Sequence, residues 1–325
     1  SQLPAPPQLE VAAPRGSKLL VGTICGLLAA IGYTATNACL RQVATEDPMW
    51  VSCLRALPTV LLFGPFLLWR ASRGERIWPT MQVMGVILVG AIASQWVGNW
   101  LFQWSLRVVG LAMAVPLCLG TLILGGALLG RIWLKEPITP RVAISLLIFG
   151  AAIVVLSLGA HDAHESVAHS LDELLPVAHS PWRIAAGVAA ACVSGVFFAI
   201  LGVTIRYSVT NHAAPTTMMF MVGLVGTAGL GVMTLSRLGV AGIADTAPAD
   251  LVAMLGAGVL NALSFICMTK ALQLTNVAYA YALNATQATM GALAGVLIFH
   301  EATTPWLGLG VALTIAGLLY MSRRR

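Results

Sequence analysis

Apolar residues run through this chain in blocks of about twenty, and polar or basic residues gather at the seams between them. A block of that length spans a bilayer core as a helix. The pattern predicts ten such segments, at 18–40, 48–69, 81–109, 111–134, 139–159, 182–207, 215–236, 251–274, 276–299 and 304–321. The third carries a polar stripe. Gln95, Asn99 and Gln103 recur every four residues, beside Trp96, Trp100 and Trp104. On a helix each set occupies one face. An amide facing lipid would leave donors and acceptors unpaired, so these three should face protein or a wet cavity. Two readings follow. The stripe is the wall of a solute pathway, or it is helix–helix glue with the indoles as packing.

Composition decides the class. The chain is 58% hydrophobic and 9% charged, with a mean hydropathy of +0.87. A soluble domain carries about 25% charge. The expected fold is an all-α membrane protein of ten transmembrane helices. The net charge of +6 does not indicate nucleic acid, because the basic residues sit at segment ends, where they orient helices. With the N-terminus in the cytoplasm, 12 of the 18 basic residues are cytoplasmic, 4 lie opposite, and Arg55 and Lys270 fall within spans. An even number of helices puts both termini in the cytoplasm. Residues 1–17 read as a flexible tail without the short apolar core of a signal peptide, 160–181 as a polar linker on the non-cytoplasmic side, and 322–325 as a basic tail. The six cysteines lie in or beside apolar runs with no C-x-x-C pair, and read as packing residues.

The chain also repeats itself. Gly22 and Gly187, Arg41 and Arg206, Glu136 and Glu301, and Thr139 and Thr304 are each 165 positions apart. Two halves of five helices result, 18–159 and 182–321. An odd number inverts the second half relative to the first, which is the architecture of alternating-access transporters with a site between the halves.

On these features the sequence resembles the drug/metabolite transporter superfamily, EamA type, over about residues 18–321. Besides the two halves, the resemblance rests on a Glu after the fourth and ninth helices (Glu136, Glu301) and an Arg early in the second, C-L-R-A at 53–56. It rests also on S-L-R-V-V-G-L-A-M-A at 105–114, mirrored by A-L-Q-L-T-N-V-A-Y-A at 271–280. The Pro that many relatives carry in the middle of helices four and nine is missing. The resemblance implies a multi-pass carrier of the bacterial inner membrane that moves small metabolites, often amino acids, usually outward.

No acidic residue and no histidine falls in the middle of a span. Proton-coupled pumps keep such a group at membrane depth, so no embedded acid is expected to relay protons or hold a cation. The candidate substrate-binding residues are Gln95, Trp96, Asn99, Trp100 and Gln103, with Asn261 and Phe265 on helix eight and Tyr281 and Asn284 on helix nine. Asn261 corresponds to Gln95 in the repeat. Arg55 and Lys270 are candidates for gating or for attracting an anion; both could instead snorkel or meet carbonyls. The tract with His161, His164, His169 and His179 reads as a solvated linker with at most a short helix, rather than a zinc site.

No P-loop or nucleophile elbow occurs, so neither ATP-driven transport nor catalysis is expected, and no cofactor is called for. The expected partners are a small-molecule solute and the lipid bilayer, with the chain a monomer or weak dimer. The functional expectation is a secondary carrier of small polar metabolites, amino acids or related zwitterions and anions. A carrier of quaternary amines held by cation–π contacts to the tryptophans, and a membrane sensor or assembly protein without transport, stand as alternatives.

Overall fold

A computed structural model describes residues 16–75, 77–133, 140–171, 181–211, 213–274, 283–284 and 286–322. Tyr281, Glu136, His179 and the basic residues Arg323 to Arg325 lie outside the described residues, as do most of the N-terminal tail and the second half of the 160–181 linker.

The apolar blocks form helices: α1 Gly16–Gln42, α2 Pro48–Ser72, α3 Met81–Ile92, α4 Asn99–Trp133, α5 Pro140–Leu158, α6 Ala160–Leu171, α7 Pro181–Thr210, α8 Pro215–Leu224, α9 Leu230–Ala244, α10 Pro248–Leu274, α11 Thr286–Phe299 and α12 Pro305–Ser322. No strand occurs among the described residues. Two π-helical turns, Ala93–Gly98 and Val225–Gly229, join α3 to α4 and α8 to α9.

Among the described residues, six helices are long and apolar enough to cross a membrane, and three shorter apolar ones accompany them. The stretch Met81–Trp133, at 53 residues, would measure about 80 Å as one helix, far beyond a bilayer core of about 30 Å. It breaks at Gly110, whose φ of 74° and ψ of 177° are not helical. The boundary read from the sequence between 109 and 111 falls on this residue.

The surface is apolar where a soluble protein would be polar. Leu68, Leu147, Val252 and Leu297 are each 70% or more exposed. Such a surface is stable only against lipid. The interior is built on α4, which packs along α7, while α1 packs along α10 and α5 along α12. Leu106, Leu111, Met113 and Leu117 of α4 are sealed from solvent. Close approach of α4 and α7 depends on Gly195, where a Cβ would stand 2.1 Å from Thr121 Oγ1 and 2.3 Å from the Cys118 carbonyl. The polar segment after α5 forms the short helix α6. Its Ala163, His164 and Val167 are buried, and His161, Asp162 and Glu165 are exposed.

Candidate functional site

Arg55 lies two turns into α2, within the bundle. Its Nη2 donates to Asn99 Oδ1, and Asn99 Nδ2 donates in turn to Gln95 Oε1. Asn99 is 2% exposed. The chain of donors Arg55–Asn99–Gln95 thus joins α2 to the start of α4 and the π turn before it. A π turn carries one extra residue per turn and leaves carbonyls out of the helical ladder, which is why such turns recur at functional sites. The second π turn meets the first here. Trp96 Nε1 donates to the Val225 carbonyl at 3.2 Å, and Cys53 Sγ contacts the Thr227 carbonyl at 3.4 Å. A Cβ at Gly226 would come within 3.1 Å of Gln95 Oε1, and one at Gly229 within 2.5 Å of the Trp96 ring. On the other flank, the Arg55 carbonyl sits against Gly258 of α10, where a Cβ would approach to 2.5 Å. Asn261 is half-buried one turn further along α10, and Phe265 is half-buried one turn beyond that.

The structure therefore brings Arg55, Gln95, Trp96 and Asn99 together, with Asn261 nearby. Gln103, Trp100, Lys270 and Asn284 lie elsewhere. Gln103 is 2% exposed and donates to the Leu40 carbonyl at 2.8 Å, at the C-terminal end of α1, where carbonyls lack helical partners. Trp100 is 38% exposed on the outer surface. Lys270 is exposed. Asn284 belongs to a second run of amides, in which Asn37 Nδ2 donates to Gln287 Oε1 at 3.4 Å and Gln287 Nε2 donates to Asn284 Oδ1 at 3.2 Å. In the histidine tract, His161 meets Glu165 at 3.5 Å on the exposed side, whereas His164 Nδ1 lies 2.8 Å from the Val108 carbonyl in the interior. No group of three potential ligands converges among the described residues.

Two of the repeat markers, Arg41 and Glu301, meet at one end of the bundle, a pairing that the repeat spacing did not reveal. Arg41 Nε donates to Glu301 Oε1 at 2.8 Å, with side-chain exposures of 4% and 3%. The same oxygen accepts the Leu111 N–H at 2.8 Å, and Oε2 accepts the Ala112 N–H at 2.7 Å. Glu301 thus caps the helix that restarts after Gly110, where the helix dipole favours a carboxylate. Positive φ at two places makes this possible. His300 (φ 52°) turns the chain after α11, and Gly110 (φ 74°) leaves room for the carboxylate, since a Cβ there would be 2.5 Å from Glu301 Oε1. Arg41 also lies over the Phe299 ring, 5.5 Å from its centroid.

Further contacts gather at the same end. Asp47 Oδ1 caps α2 by accepting from Met49 N at 2.9 Å and Trp50 N at 3.2 Å, and Arg237 stands 3.6 Å from Asp47. Trp50 Nε1 donates to Thr246 Oγ1 at 3.0 Å. In the loop between α1 and α2, partial burial, and then the carboxylates of Asp250 and Asp47, push Glu46 above the usual carboxylate range. The opposite end is looser. A cleft of about 510 Å³ opens between the start of α3 and the ends of α4 and α7, lined by Gln82, Val86, Trp133 and Tyr207 among others.

Comparison with known proteins agrees with this architecture. No curated protein matches the chain. A crystal structure described only as that of a protein superposes with a TM-score of 0.59 at 17% identity, covering 94% of this chain and 96% of the other, which shows a shared fold. The profile of the EamA-like transporter family matches twice, over residues 20–158 and 185–323, at the spacing of the internal repeat. The chain belongs to the EamA-like transporter family, and is a multi-pass membrane transporter of small molecules.

Proposed function

We propose that this protein is a secondary, ATP-independent carrier that moves small polar metabolites by alternating access, as exporter, uniporter or exchanger. Amino acids and related zwitterions or anions are the leading solutes. It spans a bacterial inner membrane ten times as two inverted five-helix repeats, with both termini in the cytoplasm. The observation that carries the reading is the part-buried chain Arg55–Asn99–Gln95, centred on the buried Asn99. It stands where α2 and α4 of the first repeat meet the π turn Val225–Gly229 and α10 of the second. A solute site at the interface of the repeats is what an inverted-repeat carrier requires. The Arg41–Glu301 pair is the shut gate at the non-cytoplasmic end, and its opening exposes the site to the other side. Trp96 is wedged against Gly229 and Trp100 faces outward, so the reading does not build on an indole cage for quaternary amines.

The test is counterflow at symmetric pH into proteoliposomes preloaded with unlabelled solute, using a labelled pool of amino acids and small carboxylic acids. Wild-type vesicles should accumulate label, and Asn99→Ala and Gln95→Ala should abolish or strongly reduce it, while Arg73→Gln on the surface should not. Uptake that ignores both amide substitutions would move the site elsewhere. No uptake of any component would count against a carrier for this class of solute.

A further inference from the structure

We infer that Arg55 is the receptor for a single carboxylate on the transported solute, with Asn99 holding the guanidinium in register until the solute arrives. This rests on the carrier reading and names the chemical class of its substrate.

A guanidinium within a membrane-spanning bundle is strongly disfavoured unless an anion or a set of acceptors compensates it. Among the described residues the carboxylates of the ion pairs are engaged elsewhere: Glu301 with Arg41, Glu75 with Arg70, Asp47 with Arg237 and Glu165 with His161. Among the described residues, Arg55 donates to a neutral amide through one nitrogen. That leaves a positive charge and donors of the planar fork to be met by a ligand. Arginine presents such a fork to a carboxylate with two parallel bonds. Asn99 is itself fixed by Gln95, so the guanidinium is oriented before binding, which lowers the entropy lost on association.

Charge balance then selects among anions. Arg41 is already neutralised by Glu301, and Lys270 is exposed on α10, so neither adds a positive charge to the Arg55 cluster. One guanidinium balances one carboxylate. A phosphate dianion would leave net negative charge in the site, and an organic cation would meet repulsion. A simple monocarboxylate meets this balance, and a zwitterionic amino acid offers the same carboxylate only with its ammonium turned away from Arg55.

Thermal unfolding of the purified protein at constant ionic strength, followed by tryptophan fluorescence, tests this with four probes: alanine, pyruvate, inorganic phosphate and tetraethylammonium. For the wild type, alanine or pyruvate should raise the midpoint saturably, and phosphate and tetraethylammonium should not. Alanine alone would specify a zwitterion site, and pyruvate a monoanion site. Arg55→Lys keeps the charge but loses the fork, and should weaken the apparent affinity about tenfold. Arg55→Gln should remove the effect, and Arg73→Gln should leave it intact. If Arg55→Gln does not fold, Arg55→Lys decides. The inference is overturned if neither carboxylate protects, if phosphate or tetraethylammonium protects instead, or if carboxylate protection is the same in Arg55→Lys as in wild type. Counterflow separates the two claims. Carboxylate protection through Arg55 without counterflow sinks the carrier reading alone, and counterflow untouched by Arg55→Lys sinks the Arg55 assignment alone.

Discussion

The pairs Arg41–Glu301 and Arg70–Glu75 have similar separations, 2.8 and 2.6 Å, and stand at opposite ends of the helices. Their surroundings differ. The first is 4% and 3% exposed, and its carboxylate also accepts two backbone N–H groups. The second is 26% and 43% exposed at the end of α2. An exposed pair trades water for a partner and gains about 0–1 kcal/mol. A buried carboxylate has no water to return to, so everything that satisfied it must be present together. The ladder of partners around a charge, rather than its distance to one of them, distinguishes a sealed ion pair from a surface contact.

The comparison breaks most sharply at Glu301. Glu301→Ala leaves Arg41 buried without its anion and two N–H groups without acceptors. It should cost about 3–5 kcal/mol of stability, measured as a large fall in the thermal midpoint in detergent. A loss under about 1 kcal/mol would mean that water reaches Arg41 and that this end is not sealed. Gly110→Ala comes next. It places a Cβ at positive φ and against the carboxylate, and should cost about 1–3 kcal/mol through strain alone. An unchanged midpoint would show that the chain there relaxes freely.

A smaller effect is expected from pH. Glu46 sits above the usual carboxylate range, chiefly through burial, with Asp250 and Asp47 adding to it. Its protonated form therefore favours the fold. That contribution is fully present below the unfolded carboxyl pKa and is lost as pH rises through the raised folded value. Glu46→Gln should flatten the fall in thermal midpoint across that window, and parallel curves for wild type and variant would assign the slope to another group. The smallest effect is at the open end, where Glu75→Ala should change stability by less than about 0.5 kcal/mol. A larger loss would show that Arg70–Glu75 also closes something.

Much of this was legible in the sequence because lipid imposes simple rules. Among the described residues the apolar blocks became helices, and the break between 109 and 111 was forced by length. The period of four correctly put Gln95 beside Asn99, and their hydrogen bond follows from it. The same period gave no hint that Gln103 would serve the unpaired carbonyls at the end of α1, because that depends on which helix end lies alongside. Nor did it show that Trp100 faces outward. The Arg41–Glu301 pair was hidden for a different reason. Arg41 and Glu301 are 260 positions apart, and each looks like an ordinary residue at a helix end. The signal was the recurrence of both at the repeat spacing, as Arg206 and Glu136, together with a glycine between two apolar spans.

The central claim is that the Arg41 end opens and closes during transport. In a background with the six native cysteines replaced, exposed positions flanking the pair, Gln42→Cys and Thr303→Cys, would be joined by a bifunctional thiol reagent and later released by reduction. Counterflow should stop when the end is tethered and return on release. Protection by carboxylate against thermal unfolding should persist throughout. Counterflow that continues at the untethered rate through the closed end would contradict the account.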